Sequence, residues 1–344
     1  MVHASGVAEG RERELLAGAR ANDEAAYQRL VEPYLRELHA HCYRMLGSLH
    51  DAEDARQDAL LRAWRGLSRF DGRGSLRGWL YKIATNTCLD VIARRPKRVL
   101  PIAHGSAADP HGEIGEPLVE SVWIEPFPDE TLGVEDGFAT PEARYERRES
   151  VELAFVAALQ HLPATQRAVL ILREVLGYSA KEVAELLDTT VASVNSAMQR
   201  ARATVDERLP ERSQQETLRS LGDETIRELV ERYVAAWESG DVQAVVSMLT
   251  EDASFSMPPL REWFHGRAAI SAFLPLGPLS MRRRFIPVRA NGQLAFGTYR
   301  WVAEEERYVG NAVHVLTLRG AQISDATCFL SPEIFPAFGL PAEP

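Results

Sequence analysis

Residues 70–98 read FDGRGSLRGWLYKIATNTCLDVIARRPKR, a stretch whose residue types could meet an unstacked nucleic acid. With a helix opening at Leu76, Trp79, Ile83 and Thr87 fall near one face, while Arg77, Lys82, Asn86, Arg94 and Arg95 offer polar and cationic groups. Phosphates meet Lys and Arg, and unstacked bases meet aromatic faces, so cations interleaved with rings suit a single or melted strand. The competing reading makes Trp79 and Tyr81 core residues and the arginines solvated, and composition alone favours it.

Several helices must position these groups. Tyr27, Leu30, Val31, Tyr34, Leu35 and Leu38 recur at the three-and-four spacing of one apolar face. A second helix follows with Asp51 as its expected N-cap and Asp54 in its first turn. A third should run over 76–95, after the turn 70–75, and stop at Pro96. Gly, Pro and acidic residues interrupt every period over 101–141, which predicts an irregular linker. Residues 142–209 are helical again: Thr165 is a candidate cap for a helix ending at Gly177, and Ser179-x-x-Glu182 is a capping box. A tight turn at Asp188-Thr189 then leads to a last helix over 191–209, the layout of a helix-turn-helix. From 224 the pattern changes. An amphipathic helix over 224–238 (Ile226, Leu229, Val230, Tyr233, Val234, Trp237) closes at Gly240, and strand-like runs follow at 253–257, 283–288, 294–302 and 312–318. Helices first and strands afterwards give an α+β domain.

With 344 residues, 45% hydrophobic and 26% charged, the chain is expected to form two or three domains. No apolar run approaches the roughly 18 residues that span a bilayer, and MVHASGVAEGRERELL lacks the basic start and apolar core of a signal peptide, so no membrane partner is expected. Cys42, Cys88 and Cys328 lie far apart in sequence, without a CxxC pair, so neither a disulfide framework nor a structural metal is expected and a reducing cytoplasm fits. The net charge of −10 is unevenly spread: residues 1–98 hold 17 Lys/Arg and 13 Asp/Glu, residues 99–149 hold 3 and 12, and residues 150–212 hold 7 and 8. A local basic face decides nucleic-acid binding, so the first segment stays a candidate.

DAEDARQDALLRAWRGLSRFDGRGSLRGWLYKIATNTCLDVIARR resembles region 2 of the extracytoplasmic-function sigma factors of bacterial RNA polymerase, and LQHLPATQRAVLILREVLGYSAKEVAELLDTTVASVNSAMQRARATV resembles their region 4. The resemblance implies two all-α sigma domains, a region 2 helical bundle over 10–98 and a region 4 helix-turn-helix over 150–212, joined by an acidic linker over 99–149. Asp51, Glu53, Asp54, Gln57, Asp58, Arg62 and Arg65 fall where such factors dock on the clamp helices of the largest polymerase subunit, on a helix whose Ala55, Leu60, Ala63 and Trp64 look core-facing; a solvated charged face is the competing reading. Phe70, Asp71 and Trp79 match the loop that captures a flipped base of the −10 element, and Lys82, Asn86, Asp90 and Arg94 lie on the helix reading its upstream part. Region 4 would set its last helix in the major groove of the −35 element, with Ser193, Asn195, Ser196 and Gln199 towards bases and Arg200 and Arg202 towards phosphates. Many relatives carry Lys and Arg where this chain has Asn195 and Ala197, so the −35 sequence does not carry over. Core RNA polymerase, through its clamp helices and flap, and promoter DNA are the implied partners. The family's linker threads the polymerase active centre, where acidic character mimics nucleic acid; a merely solvated linker would carry the same charge.

The third domain, 224–344, resembles the SnoaL-like branch of the NTF2-like fold on the stretch YVAAWESGDVQAVVSMLTEDASFSMPPLREWFHGRAAISAFL. The resemblance implies a curved α+β sheet around a conical pocket, with a regulatory role and a candidate small-molecule ligand. Enzymes on this fold abstract a proton beside a carbonyl with a carboxylate or His. Asp252, Trp263, His265, Arg300 and His314 are the candidate pocket residues. The favoured reading has Asp252 capping a turn and both histidines structural, with no enzymatic activity and no cofactor. Two alternatives stand: a SnoaL-like domain that is an enzyme on a small molecule, and a ligand-responsive DNA-binding regulator that acts without polymerase.

Overall fold

A computed structural model describes residues 2–70, 72, 74–118, 122–132 and 148–344. Among them the helices are α1 (Val2–Arg20), α2 (Glu24–Val31), α3 (Leu35–Leu46), α4 (Leu49–Gly66), α5 (Leu76–Ile92), α6 (Leu153–Gln160), α7 (Ala164–Leu170), α8 (Ala180–Leu186), α9 (Val191–Asp206), α10 (Gln214–Ser239), α11 (Val242–Ser247) and α12 (Arg267–Phe273). The strands are β1 (Leu249–Ser256), β2 (Trp263–His265), β3 (Arg283–Ala290), β4 (Gln293–Val302), β5 (Arg307–Arg319) and β6 (Gln322–Phe329). Two compact units result, Met1–Arg95 with Leu162–Thr204, and Pro96–His161 with Val205–Pro344.

The first unit is all helix. The apolar face expected over Tyr27–Leu38 is broken at Pro33, where the turn Glu32–Tyr34 separates α2 from α3. Asp51 is not the cap of α4: Ser48 Oγ accepts from Asp51 N at 3.1 Å, and the helix begins at Leu49. Ser75 caps α5, accepting from Gly78 N at 3.0 Å. Leu38, Tyr43, Met45, Ala52, Ala55, Ala63, Leu80, Tyr81 and Ala84 form the core. Inside it His41 Nε2 meets Thr85 Oγ1 at 2.9 Å, and burial pushes the imidazole down to a pKa of about 3, so it stays neutral. The same packing sets Cys88 against Cys42, both as free buried thiols. Arg167 of α7 is buried and donates to the carbonyl of Met45, which ties the helix-turn-helix segment to α3. In that segment Pro163, not Thr165, precedes α7 as its cap residue, and a wider π turn over Ile171–Val175 leads to Gly177, whose φ of +74° favours glycine. The Ser179–Glu182 capping box forms as expected.

The second unit is a six-stranded sheet in the order β2-β1-β6-β5-β4-β3, with β1 and β6 parallel and the other neighbours antiparallel. Strands β2 and β6 were not foreseen, and the helix expected over 224–238 starts ten residues earlier, at Gln214, with a break at Gly222. Tyr233 and Trp237 of α10 lie on the sheet. Tyr233 stacks on Phe296 at 5.0 Å, and Trp237 lies 5.5 Å from Phe285. Phe264 and Phe273 stack at 3.9 Å below α12.

The described residues of the expected linker, 101–118 and 122–132, belong to this unit. They are irregular, as predicted, but they lie along the domain as a strap. Ala108 N donates to Trp263 O at 2.8 Å, Trp263 Nε1 to Gly105 O at 2.9 Å, and Trp123 Nε1 to Pro259 O at 3.0 Å. Further along, Phe127 N donates to Asn291 Oδ1 at 2.8 Å and Gly292 N to Asp129 Oδ1 at 2.7 Å, while Ile124 and Phe127 are fully buried. Helix α6, which the sequence grouped with the helix-turn-helix, also folds here: Leu153 N donates to Gln293 Oε1 at 2.9 Å. No helix among the described residues is long and apolar enough to cross a membrane.

Candidate functional site

Three stripes, exposed on α4 and α9 and partly buried on α5, carry the candidate residues of the first unit. On α4, Asp54, Gln57, Asp58, Arg62 and Arg65 are exposed at the three-and-four spacing of one face, with Leu61 among them at 45% exposure. Ala55 and Ala63 point into the core as expected, while Leu60 and Trp64 are half-buried. Glu53 is half-buried and bonded to Gln57 at 2.7 Å and Arg56 at 2.5 Å, contacts that hold its carboxyl below the usual range against burial. Asp51 does not belong to the stripe. It is buried and its carboxylate pairs with Arg95, so it works within the bundle.

On α5, Trp79, Lys82, Asn86 and Asp90 follow one line of the helix, with Arg94 exposed just beyond its end. Phe70 is buried and its ring lies 5.1 Å from that of Trp79, which is half-buried and so neither a core residue nor fully solvated. Asp71 lies outside the described residues. Tyr81 is core, and Arg77 is held by Glu37 at 2.8 Å and lies over the Tyr81 ring at 4.9 Å, so neither belongs to the exposed line. Lys82 pairs with Asp188 at 2.7 Å, on the turn before α9. Arg62 joins two stripes, bonding Asp58 at 2.9 Å on its own helix and Asp90 at 2.8 Å on α5.

On α9, Ser193, Asn195, Ser196, Gln199, Arg200 and Arg202 are all exposed, opposite the buried Val194, Ala197, Met198 and Ala201. Thr190 Oγ1 accepts from Ser193 N at 3.1 Å and opens the helix. Arg200 reaches back to Ser196 Oγ at 2.7 Å, and Arg202 pairs with Glu174.

Three family models match the chain, and the region 4 match includes α6, which folds with the second unit. Sigma-70 region 2 matches residues 30–98, Sigma-70 region 4 matches 152–205, and a SnoaL-like domain matches 230–326. The chain is 42% identical to the ECF RNA polymerase sigma factor SigG of Mycobacterium tuberculosis over 99% of its own length and 90% of the relative's. It belongs to the ECF RNA polymerase sigma factors. The sigma factor SigM of the same organism is 32% identical over 57% of this chain and 83% of its own. The crystal structure of the M. tuberculosis ECF sigma factor SigJ, 22% identical, superposes with a TM-score of 0.55 over 89% of this chain and 97% of that one, which supports the same fold. As a sigma factor the chain serves core RNA polymerase and promoter DNA.

The five candidate pocket residues of this sigma factor's C-terminal domain do not come together. His314 sits among rings, 5.3 Å from Trp237 and 5.2 Å from Phe285, with Tyr233 Oη at 3.3 Å from Nδ1, and burial pushes its pKa well down. Asp252 is exposed, and both its oxygens accept from Arg319 at 3.0 Å, which keeps its carboxyl below the usual range. His265 and Arg300 are exposed, and Trp263 is bonded to the strap. Tyr233, Trp237 and Phe285 pack around His314 as a buried aromatic cluster.

Asn291 is the residue that sequence reasoning missed. It turns β3 into β4 with φ +56°, followed by Gly292 at φ +68°, the pair that two-residue hairpins prefer. The Asn-Gly dipeptide between two strand-like runs was the available signal. Its buried amide accepts from Phe127 N and donates to Val151 O at 2.7 Å, holding the strap at Phe127 and the residues just before α6.

Proposed function

We propose that the α4 stripe docks on the polymerase clamp helices, that the α5 line with Phe70 and Trp79 engages the melted −10 element, and that the exposed face of α9 reads the −35 element. The exposed Leu61 within a charged stripe carries this reading, because a large apolar side chain amid charges suits a protein contact better than a solvated face. Helix-turn-helix proteins read bases with the N-terminal turns of their second helix, which supports the roles of Ser193, Asn195, Ser196 and Gln199. The working division is 10–98 for polymerase and −10 contact, 150–212 for −35 contact and 224–344 for control. We further propose that the SnoaL-like domain acts by holding the strap and performs no catalysis. Among the described residues no carboxylate pairs with His314, which sits among rings, and Asp252 is spent on Arg319. The work of a sigma factor belongs in the cytoplasm, beside the chromosome.

Transcription from a purified core polymerase tests the assignment. Asp54→Lys with Asp58→Lys is expected to lower affinity for core about tenfold, in line with lost charge pairs at a protein interface. Asn86→Ala is expected to leave core binding intact and slow open-complex formation. Unchanged core affinity in the first variant would remove the clamp-helix role from α4.

A further inference from the structure

We infer that the SnoaL-like unit carries a binding cleft for a small organic anion, outside the aromatic interior. The cleft measures about 310 Å³, and Pro128, Pro287, Val288 and Phe338 give it apolar walls. Arg148 and Arg289 also line it, with Asp129 between strap and sheet and the exposed Glu130 completing the lining. Among the described residues neither guanidinium has a hydrogen-bond or ion-pair partner, and the Nε of Arg148 is buried without one. A buried, unpaired guanidinium N–H is costly, so a cleft that offers one is waiting for an acceptor. Asp129 attracts both guanidiniums without bonding either: its Oδ1 accepts from Gly292 N at 2.7 Å, and burial raises its pKa against the pull of the two arginines, so their N–H donors stay open.

The walls choose the class of anion. Guanidinium groups take a carboxylate through paired N–H donors, and apolar surface beside them rewards an organic body on that carboxylate. The volume lies at the lower end of ligand pockets, which suits one ring or a short chain. Because Pro128 and Asp129 come from the strap, Arg148 from the residues before α6, and Pro287 to Arg289 from β3, an occupant would bind the strap to the sheet.

The test uses the full chain and 4-fluorobenzoate, observed by fluorine NMR line broadening, with 4-fluorobenzamide as the neutral control and inorganic phosphate as the competitor. Saturable broadening of the benzoate is expected, with none for the amide. Arg148→Gln and Arg289→Gln should each weaken binding about tenfold or more, as loss of a charge-assisted pair does, and phosphate should not displace the benzoate. No benzoate binding, equal binding by both variants, or displacement by equimolar phosphate would each overturn the proposal. Val288→Ala, which keeps both charges, guards against misfolded arginine variants: it should weaken benzoate binding with an unchanged melting temperature, and undiminished affinity there would equally overturn it.

Discussion

Asp51 and Asp54 stand one turn apart on α4, and the fold gives them opposite fates. Asp54 is exposed, whereas Asp51 is buried against Arg95, a partner 44 residues along the chain. Periodicity could not separate them, because what buries Asp51 arrives with the far end of α5. Asp51→Asn should therefore destabilise the helical unit by about 1–3 kcal/mol, the cost of weakening a buried charged hydrogen bond, and leave the core affinity of the folded protein unchanged. Thermal denaturation beside a pull-down with core enzyme would separate the two effects. Glu152 supports a pH prediction. Its carboxyl accepts from Gln214 N at 3.0 Å and Gln215 N at 2.9 Å, yet burial pushes its pKa up from 4.5 to about 7. Folding raises this pKa, so the group's contribution is full below about 4.5 and is lost as pH rises towards 7, by at most about 3 kcal/mol. Denaturation midpoints should fall over that window, and Glu152→Gln should flatten the fall; parallel curves for the two proteins would remove Glu152 as its source.

At the scale of elements, what the sequence made legible was set within a few turns. The exposed faces of α4 and α9 and the Ser179 capping box rest on spacings of three and four residues and formed, apart from Asp51, while on α5 Arg77 pairs with Glu37 and Thr87 is buried. Elements decided by distant partners were missed. The start of α10 reads as a polar linker, yet Gln214, Gln215 and Thr217 are buried there. Gln214 explains why. At the irregularity of β5 between Thr317 and Leu318, its amide accepts from Leu318 N at 2.7 Å and donates to Leu318 O at 3.0 Å, supplying the pairing that the bulge forfeits. A hydrophobicity pattern cannot distinguish such a glutamine from a solvated one. Gln214→Ala leaves a buried N–H and a buried C=O without partners, so a loss of about 2–4 kcal/mol is expected, read as a lower denaturant midpoint. A loss below about 0.5 kcal/mol, the level of an ordinary surface change, would mean that water or relaxation satisfies Leu318.

On the scale of the whole chain, the two sigma regions are joined by a segment that folds with the C-terminal domain. Charge and composition marked this segment as acidic and, over its described residues, irregular, but they could not reveal the surface that receives it. That surface exists only once β3 and β4 have turned at Asn291. Removing everything after residue 212 is therefore a poor test of control by the domain, since it would leave the buried Ile124 and Phe127 without cover. Asn291→Gly is narrower. It deletes the acceptor of Phe127 N and the donor to Val151 O, and because glycine adopts the φ of +56° freely it leaves the sheet's own ladder in place. Hydrogen exchange of the backbone amides over 122–129 should then rise, because their protection reflects local opening of the strap and not global unfolding. A domain that acts by holding the strap should, in the same variant, give a different transcript yield from core polymerase than the parent protein at equal folded concentration. Faster exchange with an unchanged yield would separate the strap from transcription and leave the domain's control to some other contact. Unchanged exchange would mean that the remaining bonds, from Trp123 to Pro259 and from Trp263 to Gly105, suffice to hold it.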